Sequence, residues 1–454
     1  MHWTQSSGLP SVDPMPTAPA PAASRALVAS PTTPWAGHRR SSQGYRRTVA
    51  ALVCAGLATF AQLYSPQGIL PMISSDLRIA APTASLTVSA STLGLALAVL
   101  PWSVVADRIG RVRAIRIALI AATTIGLLTP FAPTIELLVA GRFLEGAALG
   151  GVPALAITLL HEEIHSAHTA VVAGMFVGGV SIGGLAGRVL AAGVAELAGW
   201  RVGLATVSGL CVLTTVAFVA LAPRARGFVP DGAGLRHVGS LVRTNLRDRG
   251  LLVLYANGAL VIGGFVTIYN YLGFRLEAPP YLLSPAVTSL VFLAYLGGTV
   301  SSRLAGSLTV RWGRRRVLAV AGATMSAGSL LTLTPQVPLI LLGLVVLTAS
   351  FFGAHAVASG WVGHRAVVGR AQATSLYNAF YYAASSLLGW LGGVTWVHAG
   401  WPGVAVFVAA VTLTAPLLTL GSRSLRTPAT GTSRRAARPG VLTPSPGTGR
   451  RSPA

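Results

Sequence analysis

Apolar and polar positions in this chain are segregated over stretches of about twenty residues rather than alternating every two or four. A helix rises 1.5 Å per residue, so crossing a hydrocarbon layer of ~30 Å takes roughly 20 apolar residues. Twelve runs reach that length, at about 48–70, 83–105, 117–135, 137–160, 169–191, 202–222, 250–272, 284–305, 317–335, 339–359, 371–397 and 402–420. Residues 317–354 carry no charge or histidine and are too long for one crossing; Pro335-Gln336-Val337-Pro338 divides them, because proline removes a backbone donor and stops a helix. The pattern predicts an all-α integral membrane protein with 12 transmembrane helices.

The polar remainder sets the domain limits. Residues 1–46 and 422–454 are rich in Pro, Ser, Thr and Ala without an apolar run, and read as disordered cytoplasmic tails. The first tail lacks the apolar core of a signal peptide, which leaves the first spanning helix as the insertion signal. The longest internal polar stretch, 223–249, separates six-helix bundles at 47–222 and 250–421.

Composition agrees: 52% hydrophobic residues, 10% charged residues and a mean hydropathy of +0.65 exclude a soluble globular fold. The net charge of +23 raises the question of nucleic-acid binding, and the position of the bases answers it. Every base is arginine. The loops after even-numbered spans, with Arg303 counted at the end of span 8, hold 17 arginines; those after odd spans hold Arg78, Arg201 and Arg275. Basic residues mark cytoplasmic loops, so both termini are expected in the cytoplasm of a plasma-membrane protein, with no nucleic-acid partner. Cys54 and Cys211 lie within apolar runs and offer neither a disulfide framework nor metal spacing.

The halves echo each other. SVVADRIGRVR from Ser103 is answered 203 residues later by GSLTVRWGRRR from Gly306, and AGWR at Ala198 by AGW at Ala399. This predicts two parallel six-helix repeats enclosing a central site. Both charged segments fall in short turns, where Gly110 and Gly313 permit a tight backbone path. Asp107 could pair with arginines there and hold the cytoplasmic ends of the halves together; Asp107, Arg108, Gly110, Arg111, Gly306, Arg311, Gly313 and Arg314 are the expected cytoplasmic gate.

These residues resemble the loop signature of the major facilitator superfamily, roughly Gly-x-x-x-Asp-Arg-x-Gly-Arg-Arg. Ser103 and Val112 depart from it in the first copy. Val310 replaces the acid in the second, making any acid-mediated latch one-sided. The resemblance covers about 47–421. GRFLEGAALGGVPALAITLLHEEI, SIGGLAGRVL, GGFVTIYNYLGFRL and YNAFYYAASSLLGW are similar to the YnfM-type, arabinose-efflux-permease-like branch, which implies a proton-coupled exporter of small molecules. Gly178-Gly179-Val180-Ser181-Ile182-Gly183 lacks the proline of the drug-antiporter signature. The family also implies a cavity built from spans 1, 4, 7 and 10, with 5, 8 and 11 nearby.

Charged groups inside the bilayer need a reason. Counted from the start of span 4, Arg142 lies roughly 8 Å and Glu145 roughly 12 Å deep, on one helix face. Burial and Arg142 pull the Glu145 proton in opposite senses, which makes Glu145 and Arg142 the expected proton-coupling pair; a static ion pair ordering span 4 is the alternative. Arg188, near the end of span 5, is expected to snorkel to the interface, and Arg303 to serve topology. Gln62, Tyr64 and Gln67 on span 1, Tyr269 and Asn270 on span 7, and Tyr377, Asn378 and Tyr381 on span 11 are candidate substrate-binding residues; Tyr271 and Tyr382 suit an interfacial belt equally well. At an offset of 203, Gln67 falls on Asn270. His355 reads as a helix-packing histidine, and HEEIH at His161–His165 as a solvated loop rather than a metal site.

The expectation is a monomeric secondary transporter of a small molecule, working by alternating access in the lipid bilayer, driven by a proton gradient without cofactor or metal. An uptake or facilitated-diffusion carrier, and a membrane receptor or enzyme, are the competing readings.

Overall fold

Hydrocarbon offers no water to peptide groups, so a spanning segment must satisfy its own N–H and C=O groups, which a helix does locally. The structure, a computed structural model, describes residues 35–228 and 235–425. Among them regular structure is helical apart from one β-bridge, His38 to Ile164. The tails at 1–34 and 426–454 and linker residues 229–234 lie outside the described residues.

In chain order the helices are α1 Gln43–Tyr64, α2 Leu70–Asp76, α3 Ala81–Ile109, α4 Arg111–Leu128, α5 Ile135–Leu149, α6 Val152–Glu163, α7 Thr169–Ala198, α8 Trp200–Leu221, α9 Leu235–Arg247, α10 Arg249–Leu276, α11 Pro285–Ser289, α12 Tyr295–Trp312, α13 Arg314–Leu331, α14 Val337–Arg365 and α15 Arg370–Gly421. Ten helical stretches are long and apolar enough to cross a membrane. Two details bring the spans among the described residues to twelve. α15 leaves helical geometry at Gly400, at φ 57° and ψ −149°, and is two spans end to end. α13 begins on Arg314, Arg315 and Arg316, so its first turn is charged while the rest is apolar, and it packs against α14 and α15 as a span does. Span 4 is α5 followed by α6, interrupted at Gly150-Gly151.

Two boundaries differ from expectation. The first tail was expected to run to residue 46, but α1 starts at Gln43, capped by Ser42 Oγ, which accepts from Tyr45 N at 3.2 Å. The residues before it are pinned, His38 N donating to Glu163 O at 2.7 Å and His165 N to His38 O at 3.2 Å. The linker contains α9, docked where Asn245 Nδ2 donates to Gly369 O at 3.1 Å.

The sequence echoes are backbone echoes. Gly110 (φ 89°, ψ 149°) and Gly313 (φ 79°, ψ 150°) end α3 and α12 in the same conformation, one open essentially to glycine alone. Gly199 (φ 86°, ψ 158°) and Gly400 have positive φ as well. The tryptophan after each of the latter glycines donates its indole N–H to the C-terminal end of a helix of its own bundle: Trp200 to Asp76 Oδ2 at 2.8 Å at the end of α2, Trp401 to Thr332 O at 3.1 Å just after α13.

Within the first bundle α1 packs on α7 and α8, and α3 on α5; within the second α10 packs on α15, and α12 and α13 on α14. Across the seam α3 meets α15 and α7 meets α11.

Candidate functional site

α5 presents Arg142 and Glu145 three residues apart on one face, and both side chains are buried, each 2% exposed. Arg142 Nη1 donates to Glu145 Oε2 at 2.7 Å. Its Nε donates to Thr87 O at 3.0 Å, and its Nη2 to Gln62 O at 2.9 Å and Leu63 O at 2.7 Å. The last two carbonyls end α1, the negative pole of that helix, before the chain turns through Ser65–Gly68. Arg142 therefore fastens the ends of spans 1 and 2 as well as pairing with its own helix. Removing one partner of so buried a pair costs about 3–5 kcal/mol.

The other Glu145 oxygen faces Gln62. As placed, the Gln62 amide donates from Nε2 to Thr123 Oγ1 at 3.3 Å, and that hydroxyl lies 3.0 Å from Thr215 Oγ1. Turned over, Nε2 instead donates to Glu145 Oε1 at 3.0 Å and Ala122 O at 3.1 Å. The second satisfies the amide on both sides and is the orientation its surroundings assign.

Gln67 and Asn270, expected to correspond under the repeat, touch: Gln67 Nε2 donates to Asn270 Oδ1 at 2.6 Å. A residue meets its own counterpart only on the axis that relates them, so the axis of the two repeats passes here. Beside it stands Arg188, which does not snorkel. The span limit of 191 placed it near a membrane face, whereas α7 continues ten residues past it to Ala198, about 15 Å of helix. Arg188 is 2% exposed. Its Nε donates to Gln67 Oε1 at 2.8 Å and its Nη1 to Gly184 O of its own helix. Its guanidinium carbon lies 4.6 Å from the Tyr64 ring centre, 4.8 Å from Phe292 and 5.0 Å from Tyr295. A cation at mid-span costs about 2.5–3.5 kcal/mol on insertion scales. Three desolvated cation–π contacts, at about 0.5–2 kcal/mol each, are of the same order, so the aromatic cage offsets much of that cost in the absence of an anion.

The second bundle supplies a continuous file of rings. Tyr269 lies 5.0 Å from Phe265 and 5.1 Å from Phe292; Phe265 stacks on Phe351 at 4.0 Å; His355 lies 6.1 Å from Phe351 and 4.9 Å from Tyr381. Tyr269 hydroxyl shares a hydrogen bond with Thr348 Oγ1 at 2.8 Å, and Tyr377 hydroxyl with His355 Nδ1 at 3.0 Å. Tyr271, equally suited to an interfacial belt on sequence, is buried and donates to Ser85 Oγ at 2.8 Å across the seam. Tyr382 is buried too, and Asn378 half-buried.

Of the expected substrate residues, Tyr64, Gln67, Tyr269 and Asn270 thus converge at the seam. Tyr377 and Tyr381 join the aromatic file, and Gln62 belongs to the Glu145 site instead. Arg188, Phe292 and Tyr295 were missed. The underestimated span 5 hid the arginine, and nothing in the spacing of span 8 marks its rings.

At the arginine-rich end, Asp107 pairs with Arg111 at 2.8 Å, and Arg111 with Glu162 at 3.3 Å. All three belong to the first bundle, so in this conformation Asp107 closes within its own half and makes no latch across halves. Arg314 lies over Trp361 at 6.0 Å, Arg315 donates to Thr419 O and Leu420 O at the end of α15, and Arg108, Gly306 and Arg311 are exposed. HEEIH is not a solvated loop. Glu162 joins the ion pair, and Glu163 is fully buried, its Oε1 accepting from Arg226 N at 2.6 Å and Gly227 N at 2.8 Å. Among the described residues no three His, Cys, Asp or Glu side chains are grouped to hold a metal ion.

The Major Facilitator Superfamily profile matches residues 52–304 and 278–451. The inner membrane transport protein YnfM of Escherichia coli (strain K12) is 38% identical over 380 residues, 84% of this chain and 91% of that protein. The MFS-type transporter YybF of Bacillus subtilis (strain 168) is 33% identical over 83% of this chain and 93% of its own length. Among solved structures, the xylose transporter XylE of E. coli, in a partially occluded inward open conformation, superposes with a TM-score of 0.65 at 15% identity, over 84% of this chain and 98% of that one. A bacterial homologue of the human lysosomal transporter Spinster also gives 0.65, at 14% identity, over 84% and 96%. Duplicated glycine turns, a two-bundle seam and these likenesses agree: the chain belongs to the major facilitator superfamily and is a membrane transporter of the YnfM type rather than an enzyme.

Proposed function

We propose that this transporter exports a small organic solute across the plasma membrane in exchange for protons, its two bundles rocking about a central site so that contacts such as Gln67–Asn270 open and close. The observation that carries the rocking is one-sided closure. Gln67 to Asn270, Tyr271 to Ser85 and Ala286 N to Glu196 Oε2 at 2.9 Å all cross the seam toward the end away from Gly110 and Gly313. The arginine asymmetry puts the Gly110 and Gly313 end in the cytoplasm together with both termini, so the closed side is external. Export is the direction implied by the YnfM-type resemblance.

Glu145 is the group assigned to the proton. Among the described residues the other acids lie at span ends or in loops, whereas Glu145 is deep within span 4, with the Gln62 amide against its Oε1. The full coordination of Arg142 favours one competitor, an uncoupled carrier with a static ion pair. Proteoliposomes loaded with pyranine and offered sugars, amino acids and organic acids under an imposed pH gradient separate the two. Glu145→Gln is expected to pass the solute down its own gradient while losing proton flux and at least tenfold of gradient-driven accumulation. Undiminished coupling in that variant removes the proton role, and accumulation only in the inward direction removes export.

A further inference from the structure

The two buried arginines of the first bundle differ in what they lack. Arg142 has a carboxylate and three carbonyls. Arg188, just as buried, has one amide oxygen and one carbonyl of its own helix, and among the described residues no carboxylate stands within ion-pair distance of it. The polar groups around it are short of the same thing. Asn270 Nδ2 is buried without a hydrogen-bond partner, although the Oδ1 of the same amide is engaged by Gln67. Tyr295 hydroxyl, on a ring that covers the guanidinium, is also buried and unpartnered. A cation from one bundle and a phenolic O–H from the other thus meet beside the repeat axis with a deficit of acceptors, while Asn270 Nδ2 turns toward Gly389, where a side-chain carbon would lie 3.2 Å from it. Tyr64, Phe292 and Tyr295 enclose them in apolar surface.

We propose that Arg188 is the anion anchor of the transport site and that the transported solute is a monocarboxylate with an apolar or aromatic body. A carboxylate presents two acceptor oxygens in one plane, matching the guanidinium fork and leaving a lone pair for the Tyr295 hydroxyl. A single cation balances one negative charge, and buried charge is tolerated when paired. The rings then cover the body of the solute. Because the donors Arg188 and Tyr295 come from α7 on one side and α12 on the other, the bound anion bridges the bundles, which couples its presence to the seam. The inference rests on the transport reading only for calling the ligand a substrate.

The test is equilibrium binding by calorimetry to detergent-purified, full-length protein at pH 7, with benzoate, octanoate, benzamide and benzylammonium as probes. Benzoate or octanoate is expected to bind, with benzamide and benzylammonium at least tenfold weaker. Arg188→Gln is expected to lose at least tenfold in carboxylate affinity and Arg188→Lys to lose less. Tyr295→Phe keeps the ring and the packing, so it reports even where the charge-removing variant fails to fold; a threefold or greater loss is expected. Equal binding of benzamide, unchanged affinity in Arg188→Gln or Tyr295→Phe, binding of neither carboxylate, or a site filled by chloride that neither carboxylate displaces would each overturn the proposal. Binding at equilibrium needs no pH gradient and no direction of transport. Failure of proton coupling or export therefore leaves this result standing, and the converse also holds.

Discussion

Which charge a buried side chain meets decides whether it holds the fold or waits for something else, and Glu277 shows the case at the rim away from Gly110 and Gly313. It follows α10 directly, half-buried, with Oε1 unpartnered. Burial first, and then the Glu196 carboxylate of the other bundle, push its carboxyl up to about 7 from an ordinary 4.5. The sealed seam therefore binds this proton more tightly than an opened rim exposed to water. The contribution to sealing is full below about pH 4.5 and is lost as pH rises through about 7. Spin labels at Ser75 and Val287, exposed positions flanking the rim on the two bundles, are expected to report a larger separated population at pH 8 than at pH 5. Glu277→Gln is expected to hold the sealed distance at both. A distance distribution indifferent to pH in the unsubstituted rim would count against this account.

The glycine turns are the points at which one helix ends and the next begins in each repeat. Gly110 and Gly313 share a backbone conformation that costs other residues about 1–3 kcal/mol. A methyl group at Gly110 meets only ordinary contacts with Phe228, and one at Gly313 meets nothing within 4 Å, so the penalty is one of backbone rather than space. Gly110→Ala and Gly313→Ala are expected to lower stability by that amount and by similar amounts, read from thermal melts in detergent. Gly174→Ala, inside a helix with open space around it, is expected to lose nothing or gain. Equal melting of all three would show that these turns carry no strain.

Closure at one end of a two-bundle molecule is a statement about the whole, and it is testable by tying the bundles together. Ser89 Oγ stands 3.5 Å from where a side-chain carbon at Gly389 would lie, on the other bundle. Ser89→Cys with Gly389→Cys, in a chain whose Cys54 and Cys211 are replaced, is expected to oxidise once the Asn270 amide, 3.2 Å from the same position, gives by a few tenths of an ångström, and the reduced double variant is the control for that shift. Transport is then expected to stop and to return on reduction. Undiminished transport by the fully cross-linked chain would exclude rocking at this seam.

Much of the molecule was legible in the residue pattern. The number of spans, the two glycine turns and the Gln67–Asn270 correspondence follow from length, hydropathy and repetition, because membrane crossing constrains composition at every position and duplication copies it. The Arg142–Glu145 pair was visible for the same reason, since a charge in hydrocarbon stands out and its partner lay one helical turn away. Contacts between helices were not legible. Arg188 became a seam residue only when the full length of α7 and the rings of α12 and the segment before it were in place. Asp107, read as a link between halves, closes onto Arg111 of its own bundle. Glu163 sits out of water because Arg226 and Gly227 fold back over it. Local periodicity specifies which face of a helix is apolar and how far it runs; which residue of a distant helix meets that face depends on tilt, kink and packing, and those are properties of the assembled bundles.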